Sequence, residues 1–254
     1  MIIFHELSIG NEEANPCPRC LRAGGTKDTP LPAPVNLAEI TPRIQQLQAA
    51  GASVMMRSFE PFRHPDLVGI IQSLAGQQVM QQLAQQPAAQ SRMGVRRIGM
   101  RTDASALANL HDAQGCIDNG VRVFEVPFLP QQMDALSQAA SLEARLAGIA
   151  GIQTAAQALG KPIFTCVDIY VCKHTAPYFA DTVQSALAAG ANAIRISASQ
   201  ELGTVDIATL VGGRFVLDAA HASATRNSVP LFGDGCSQYM QGAVIYETRV
   251  AAHV

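Results

Sequence analysis

MIIFHELSIGNEEANPCPRCLRAGG, residues 1–25, decides how the rest of the chain is read. Residues 2–9 form an apolar-rich run that reads as a first β-strand and ends at Gly10. A polar loop follows and carries Cys17 and Cys20 as Cys-Pro-Arg-Cys. Thiolates at this spacing can share one metal centre, but a pair does not close a site. Either further ligands come from elsewhere in the chain, or the pair binds nothing.

Beyond the loop, strand and helix alternate. Residues 29–34, TPLPAP, are too rich in proline for a helix or a central strand. Residues 36–50 predict a helix capped by Asn36 and stopped by Gly51. A strand over 53–57, a loop over 58–65 and a helix over 66–83 follow, the helix with Leu67, Ile70, Ile71 and Leu74 at helical spacing. The Gln-rich stretch 77–90 reads as a solvated helix end and loop. Next come a strand over 95–101, a helix over 105–119 and a strand over 121–126. Residues 131–159 predict one long helix or two, closed by Gly160. A strand over 162–171, a helix over 177–189 and a strand over 193–198 complete six alternations. The tail predicts a helical piece over 206–211, a strand over 214–217 and a strand pair, 229–232 with 243–250, around Gly233-Asp234-Gly235-Cys236. The pattern implies parallel strands joined by right-handed crossovers in one α/β domain, with a core over about 1–218 and a C-terminal extension over about 219–254.

The strand registers narrow this further. Strands of a doubly wound sheet are apolar on both faces. Here Val167, Ile169 and Val171 alternate with Cys166, Asp168, Tyr170 and Cys172. Ile194 and Ile196 alternate with Arg195 and Ser197, and Ile98 and Met100 with Arg97, Gly99 and Arg101. Glu125 lies opposite Phe124 and Val126, and Arg214 and Asp218 alternate with Phe215 and Leu217. With helices over the apolar face, the polar set lines a lumen. Burying those charges is costly unless they pair or hold a ligand. The expected architecture is a partial, six-stranded (βα) TIM-like barrel with its site at the C-terminal ends of the strands.

Composition bounds the partners. The 254 residues are 48% hydrophobic and 15% charged, with a net charge of −2, which gives no reason to expect nucleic acid or an anionic membrane as partner. No stretch reaches the roughly 18 consecutive apolar residues of a membrane span. No basic segment precedes an apolar run at the N-terminus, and six cysteines without such a leader argue against a disulfide framework. A reducing cytoplasm is the expected compartment.

A cysteine loop after the first strand, an acidic-Pro loop after the second and a polar lumen together resemble the radical SAM superfamily, whose members use a partial six-stranded barrel. In that family three cysteines spaced Cys-x3-Cys-x2-Cys hold a [4Fe–4S] cluster. The cluster's fourth iron binds S-adenosylmethionine (SAM), and one-electron reduction yields a 5′-deoxyadenosyl radical. Soft thiolates suit the iron, and an open coordination position admits SAM. The resemblance implies that Cys17 and Cys20 are the second and third cysteines. Ser58-Phe59-Glu60-Pro61 stands where the family has Gly-Gly-Glu-Pro, whose backbone contacts the SAM amino group. Arg63-His64-Pro65-Asp66-Leu67 resembles the usual start of the next helix. Arg101-Thr102-Asp103-Ala104 stands where Thr-Asn-Gly is frequent. Residues 124–128, with Glu125, resemble the fourth strand, whose end faces SAM. Residues 191–197 resemble the sixth, where Arg195 and Ser197 can reach the SAM carboxylate or ribose.

The chain also departs from that pattern. Position 13, where the first cysteine belongs, is Glu13. Arg19 replaces the aromatic residue usually found before the third cysteine, and Ser58 and Phe59 replace both glycines. A third cluster ligand would be Glu13, His5, Cys172 or Cys236. A zinc site would need two further ligands nearby, and no second Cys-x2-Cys exists. The remaining reading is a vestigial pair. Cys172, Lys173 and His174 end the fifth strand, where a barrel displays its site. With Asp168 they are the substrate-side candidates, the alternatives being an ordinary loop and, for Asp168 and Glu125, a lumen ion pair with Arg101 or Arg195. Cys116 reads as a small buried hydrophobe. The expected ligand is a small-molecule or peptide substrate, or, if the cluster is lost, a partner protein.

Overall fold

The computed structural model describes residues 4–10, 34–57, 60–84, 97–128, 141–171, 176–198, 239–241 and 244–247. Six parallel strands follow one another in chain order: β1 (Phe4–Ser8), β2 (Ser53–Arg57), β3 (Ile98–Arg101), β4 (Val121–Phe128), β5 (Phe164–Val171) and β6 (Ala193–Ala198). Among the described residues, five helices connect or flank them: α1 (Leu37–Ala49), α2 (Leu67–Ala84), α3 (Leu110–Asp118), α4 (Leu142–Leu159) and α5 (Phe179–Ala188). The sheet continues past β6 into β8 (Val244–Glu247), which runs parallel to it, and then β7 (Tyr239–Gln241), antiparallel to β8. Among the described residues β1 and β7 are the two ends of an open sheet, so the barrel is partial, as expected.

Local signals set the helix ends. The Asn36 side chain accepts the N–H of Ala38 at 2.7 Å and caps α1. Gly160 closes α4 in the left-handed conformation, with φ of 60°. His64 Nε2 lies 2.7 Å from the Val35 carbonyl, and its Nδ1 accepts the N–H of Asp66 at 3.0 Å. Those two bonds fix the Nε2–H tautomer and tie the start of α1 to the start of α2.

Three expectations change. The helix expected over 105–119 is a 3₁₀ turn, Ser105–Ala108, followed by α3. Asn109 separates them because its side chain accepts the N–H of His111 and starts a new helix, in place of continuing the old one. β4 runs two residues beyond its expected end, through Pro127 to Phe128. The hairpin partner of β8 is 239–241; the expected strands 214–217 and 229–232 and the helical piece 206–211 lie outside the described residues.

The two faces of the sheet differ. The outer face contributes Leu7, Met56, Met100, Phe124, Val167 and Ile194 to one large apolar core shared with the helices. The concave face has its own small cluster: Phe4, Met55, Val123, Phe164, Cys166 and Ala193. The register shifts between Ile98 and Gly99, so that Val121 joins the outer core while Val123 turns inward. A side chain at Gly99 would meet Met55 Cε at 2.6 Å, so the glycine leaves room for Met55 on this inner floor. The lumen is therefore not polar throughout. Among the described residues an apolar cluster fills part of the concave face, and the charged side chains stand beside it and further along the strands.

Candidate functional site

Two residues beyond Phe4, Met55, Gly99, Val123 and Cys166, the concave face becomes charged. Arg101 on β3 carries a guanidinium whose Nη1 bonds the Glu125 carboxylate on β4 and lies 3.2 Å from Asp168 Oδ2 on β5. The guanidinium side is 20% exposed, whereas the Glu125 and Asp168 side chains are 7% and 8% exposed. Arg57 on β2 pairs with Glu6 on β1 at 2.8 Å. The backbone register places Arg195 of β6 beside Asp168 and Ser197 beside Tyr170. Of the two alternatives for Glu125 and Asp168, the ion pair with Arg101 is present.

A second cluster joins the loops at the mouth. Glu60 is 5% exposed, and its carboxylate accepts the N–H of Phe62 at 3.1 Å, the Thr102 hydroxyl at 2.8 Å and the N–H of Asp103 at 2.7 Å. Thr102 Oγ1 in turn accepts the N–H of Ala104, and Asp103 Oδ1 accepts both the N–H and the hydroxyl of Ser105. Burial, and then the nearby Asp103 carboxylate, push the Glu60 pKa up to about 7. Pro61 is buried in the 3₁₀ turn Pro61–Arg63 that Glu60 caps. The Glu60 side chain thus fastens the β2 loop to the β3 loop.

The β3 loop is held from outside by α4. Ala104 adopts φ of 64°, rare for a residue with a Cβ. Gly148 of α4 packs so closely that a Cβ there would sit 1.9 Å from the Ala104 carbonyl oxygen, and one at Gly151 would sit 2.1 Å from that of Leu107. Arg145, 2% exposed, reaches from the same helix to donate to the Pro127 carbonyl near the end of β4. One helix therefore positions the ends of two barrel strands.

The structure brings together Glu60, Pro61, Thr102 and Asp103 in one cluster, and Glu125 and Asp168 in another. Glu13, Cys17, Arg19, Cys20, Ser58, Phe59, Cys172 and His174 lie outside the described residues. Arg57, Glu6 and Arg145 were not singled out from the sequence. The alternation that exposed Arg101 was available for Arg57, since Ser53, Met55 and Arg57 share one face of a five-residue strand.

The donors that the family resemblance would assign to a cluster are an unusual set. Cys17 and Cys20 supply two thiolates where the cluster normally has three, and Glu13 offers a hard carboxylate in the remaining place. Cys116 adds nothing, because burial, then the Asp112 and Glu60 carboxylates, push its thiol up to about 12. Cys166 is part of the apolar floor. Among the described residues no group of three or more His, Cys, Asp or Glu could hold a metal. A regular three-thiolate site therefore does not fit the local donors of this chain; a third ligand would have to be Glu13, His5, or a thiol from Cys172 or Cys236. No helix among the described residues is long and apolar enough to cross a membrane.

No protein-family model matches the chain, and no curated protein sequence does. Solved structures do. SuiB of Streptococcus suis bound to the precursor peptide SuiA superposes with a TM-score of 0.56 at 10% identity, over 93% of this chain and 50% of that one. A second SuiB structure gives 0.52 at 11% identity, over 93% and 49%. The radical S-adenosylmethionine methyltransferase TsrM from Kitasatospora setae, with cobalamin and a [4Fe-4S] cluster bound, gives 0.48 at 14% identity, over 77% and 36%. The chain spans about half the length of the SuiB chains it matches. At these identities the likeness is one of fold, an open α/β barrel of the TIM-like kind.

Proposed function

We propose that the chain is a radical SAM-type protein that binds SAM at the mouth of its open barrel and acts on a small-molecule or peptide substrate in the cytoplasm. The observation that carries the reading is the partition of the concave face. Charged side chains of β1–β5 pair with one another on the concave face, beyond a cluster of apolar side chains. Cys17 and Cys20, with Glu13 as third ligand, would hold the iron–sulfur cluster. That cluster, when bound, supplies the electron that cleaves SAM to methionine and a 5′-deoxyadenosyl radical. The protein's own part is to bind and orient. The backbone of Ser58, Phe59 and Pro61 would meet the SAM amino group, with Glu60, Thr102 and Asp103 bracing that loop. Arg19, Glu125, Arg195 and Ser197 would border the cofactor, and Asp168, Cys172 and His174 would face substrate.

Anaerobic reconstitution with iron and sulfide, followed by SAM and a strong reductant, tests this. Release of 5′-deoxyadenosine is expected; protein that binds no iron and releases none overturns the reading.

One observation favours a second reading. With only two thiolates in the loop, the chain also suits a cluster-free relative that keeps the fold and serves as a SAM binder or a partner subunit. A Cys17→Ala/Cys20→Ala double variant that keeps full biological activity would select this reading, and loss of activity with the fold intact would reject it.

A further inference from the structure

Ile9 and Val35 flank the stretch 10–34 that carries Cys17 and Cys20. The two flanks meet. The Val35 N–H donates to the Ile9 carbonyl at 3.4 Å, and Ile9, fully buried, donates its own N–H to the Arg57 carbonyl at 2.9 Å. The cysteine stretch is thus closed at its base on the ends of β1 and β2. A third segment holds that base. Buried His64 places Nε2 2.7 Å from the Val35 carbonyl, and Asp66 Oδ2 accepts the Leu37 N–H at 3.4 Å, both contacts crossing 29 residues of chain. The sequence sets this up locally. Pro65 keeps the residue before it extended, and His64 has φ of −79° and ψ of 123° where the 3₁₀ turn Pro61–Arg63 ends. Nδ1 accepts the Asp66 N–H, so the ring's one proton stands on Nε2 against Val35. At the other end of the same turn, Glu60 accepts from Thr102 and Asp103. One short turn therefore reaches back to the base of the cysteine stretch and forward to the β3 loop.

We infer that His64 is a positioning residue that clamps the base of the cysteine stretch and, through the turn it shares with Glu60, sets that base against the β3 loop. In this role it touches neither metal nor SAM. Holding the two ends of a loop together in advance removes part of the entropy cost of bringing its ligands to one centre, so a firm base raises metal affinity. The clamp itself rests on the bonds at Ile9, Val35, Leu37 and Asp66; that it serves a metal rests on the function proposed above.

Backbone amide exchange in the full-length protein tests the clamp, with two variants that split the ring's two bonds. An asparagine reaches only as far as Nδ1, so His64→Asn keeps an acceptor for the Asp66 N–H and loses the bond to Val35. A glutamine reaches as far as Nε2, so His64→Gln keeps the donor to Val35 and loses the local bond. His64→Asn should speed exchange at Val35 and Leu37 by about fivefold or more, the loss of one hydrogen bond, and leave Asp66 protected. His64→Gln should do the reverse. Cobalt(II) reads the consequence at the thiolates through its thiolate-to-metal absorption band, which the Cys17→Ala/Cys20→Ala variant should lack. His64→Asn should weaken cobalt binding by about fivefold, and His64→Gln should restore it. Melting curves confirm that both variants fold, and the ring-nitrogen resonances of histidine-labelled wild-type protein at about pH 8 check the clamp without any substitution. A ring proton on Nδ1, exchange at Val35 that His64→Asn leaves unchanged, or a His64→Gln variant as weak for cobalt as His64→Asn overturns the inference. Wild-type protein that binds no cobalt counts against the proposed metal at Cys17 and Cys20, and the clamp then stands or falls on the exchange rates.

Discussion

Glu60 Oε2 accepts the main-chain N–H of Asp103 at 2.7 Å, across 43 residues of chain, and so ties the loop after the second strand to the loop after the third. The cost of that contact is a buried carboxylate, and it makes stability depend on pH. Folded, Glu60 has a pKa of about 7 against an ordinary 4.5, so the folded protein holds a proton that the unfolded one releases between those values. Its contribution is greatest below about pH 4.5 and is lost as pH rises through about 7. Urea denaturation at about pH 5 and about pH 8 should show wild-type stability falling by roughly 2–3 kcal/mol from this group. Glu60→Gln should be less stable overall, since an amide offers one acceptor in place of two, and should show a flatter pH profile. An unchanged slope would contradict this account.

Replacing Arg101 with methionine leaves the Glu125 and Asp168 carboxylates without the guanidinium between them. A loss of about 3–5 kcal/mol is expected in chemical denaturation, the range for breaking a buried ion pair. Asp168→Asn should cost less, because the bond from Arg101 to Glu125 survives. If the two variants are equally stable, the network is not centred on Arg101.

The contact between α4 and the β3 loop gives a paired test. Gly148→Ala places a methyl against the Ala104 carbonyl and should destabilise by about 1–3 kcal/mol or more, the range for overpacking. Gly115→Ala, in α3, meets nothing within 4 Å and should gain up to about 1 kcal/mol from helix propensity. Thermal melting of both variants reads the opposite signs directly.

Asn109 starts α3 by capping it. Asn109→Ala should cost about 1 kcal/mol in denaturant midpoint, and Asn109→Ser should restore most of that. An Asn109→Ala variant as stable as wild type would mean that the break before α3 is set by packing alone.

Local chemistry was legible in the sequence, and long-range chemistry only where the strand alternation pointed to it. Asn36, Gly160 and the alternation through Val167, Asp168 and Ile169 each act within a few residues, and each stands where its pattern placed it. The Asn109 break was missed because an asparagine can sit within a helical pattern or start a new helix, and only its bond to His111 decides. The apolar floor was missed because it depends on which strand positions share a level around the barrel. Phe4, Met55 and Phe164 show no signal of that in their own strands. The ion pair of Arg101 with Glu125 and Asp168, 67 residues apart in the latter case, was one of the alternatives that the alternation offered, and the order β3-β4-β5 in the sheet selects it. Glu60 was read as part of a cofactor loop from its motif, and its carboxylate's role in joining two loops emerged only with the geometry.

The central claim is that the loop after β1 carries iron, with Cys17 and Cys20 as its thiolate ligands. The visible absorption spectrum of protein purified without oxygen tests it most directly. A brown protein with broad absorption of thiolate-bound iron–sulfur, bleached by reductant and absent from the Cys17→Ala/Cys20→Ala variant, is the predicted result. A colourless wild-type protein that stays colourless after iron and sulfide are supplied would contradict the account.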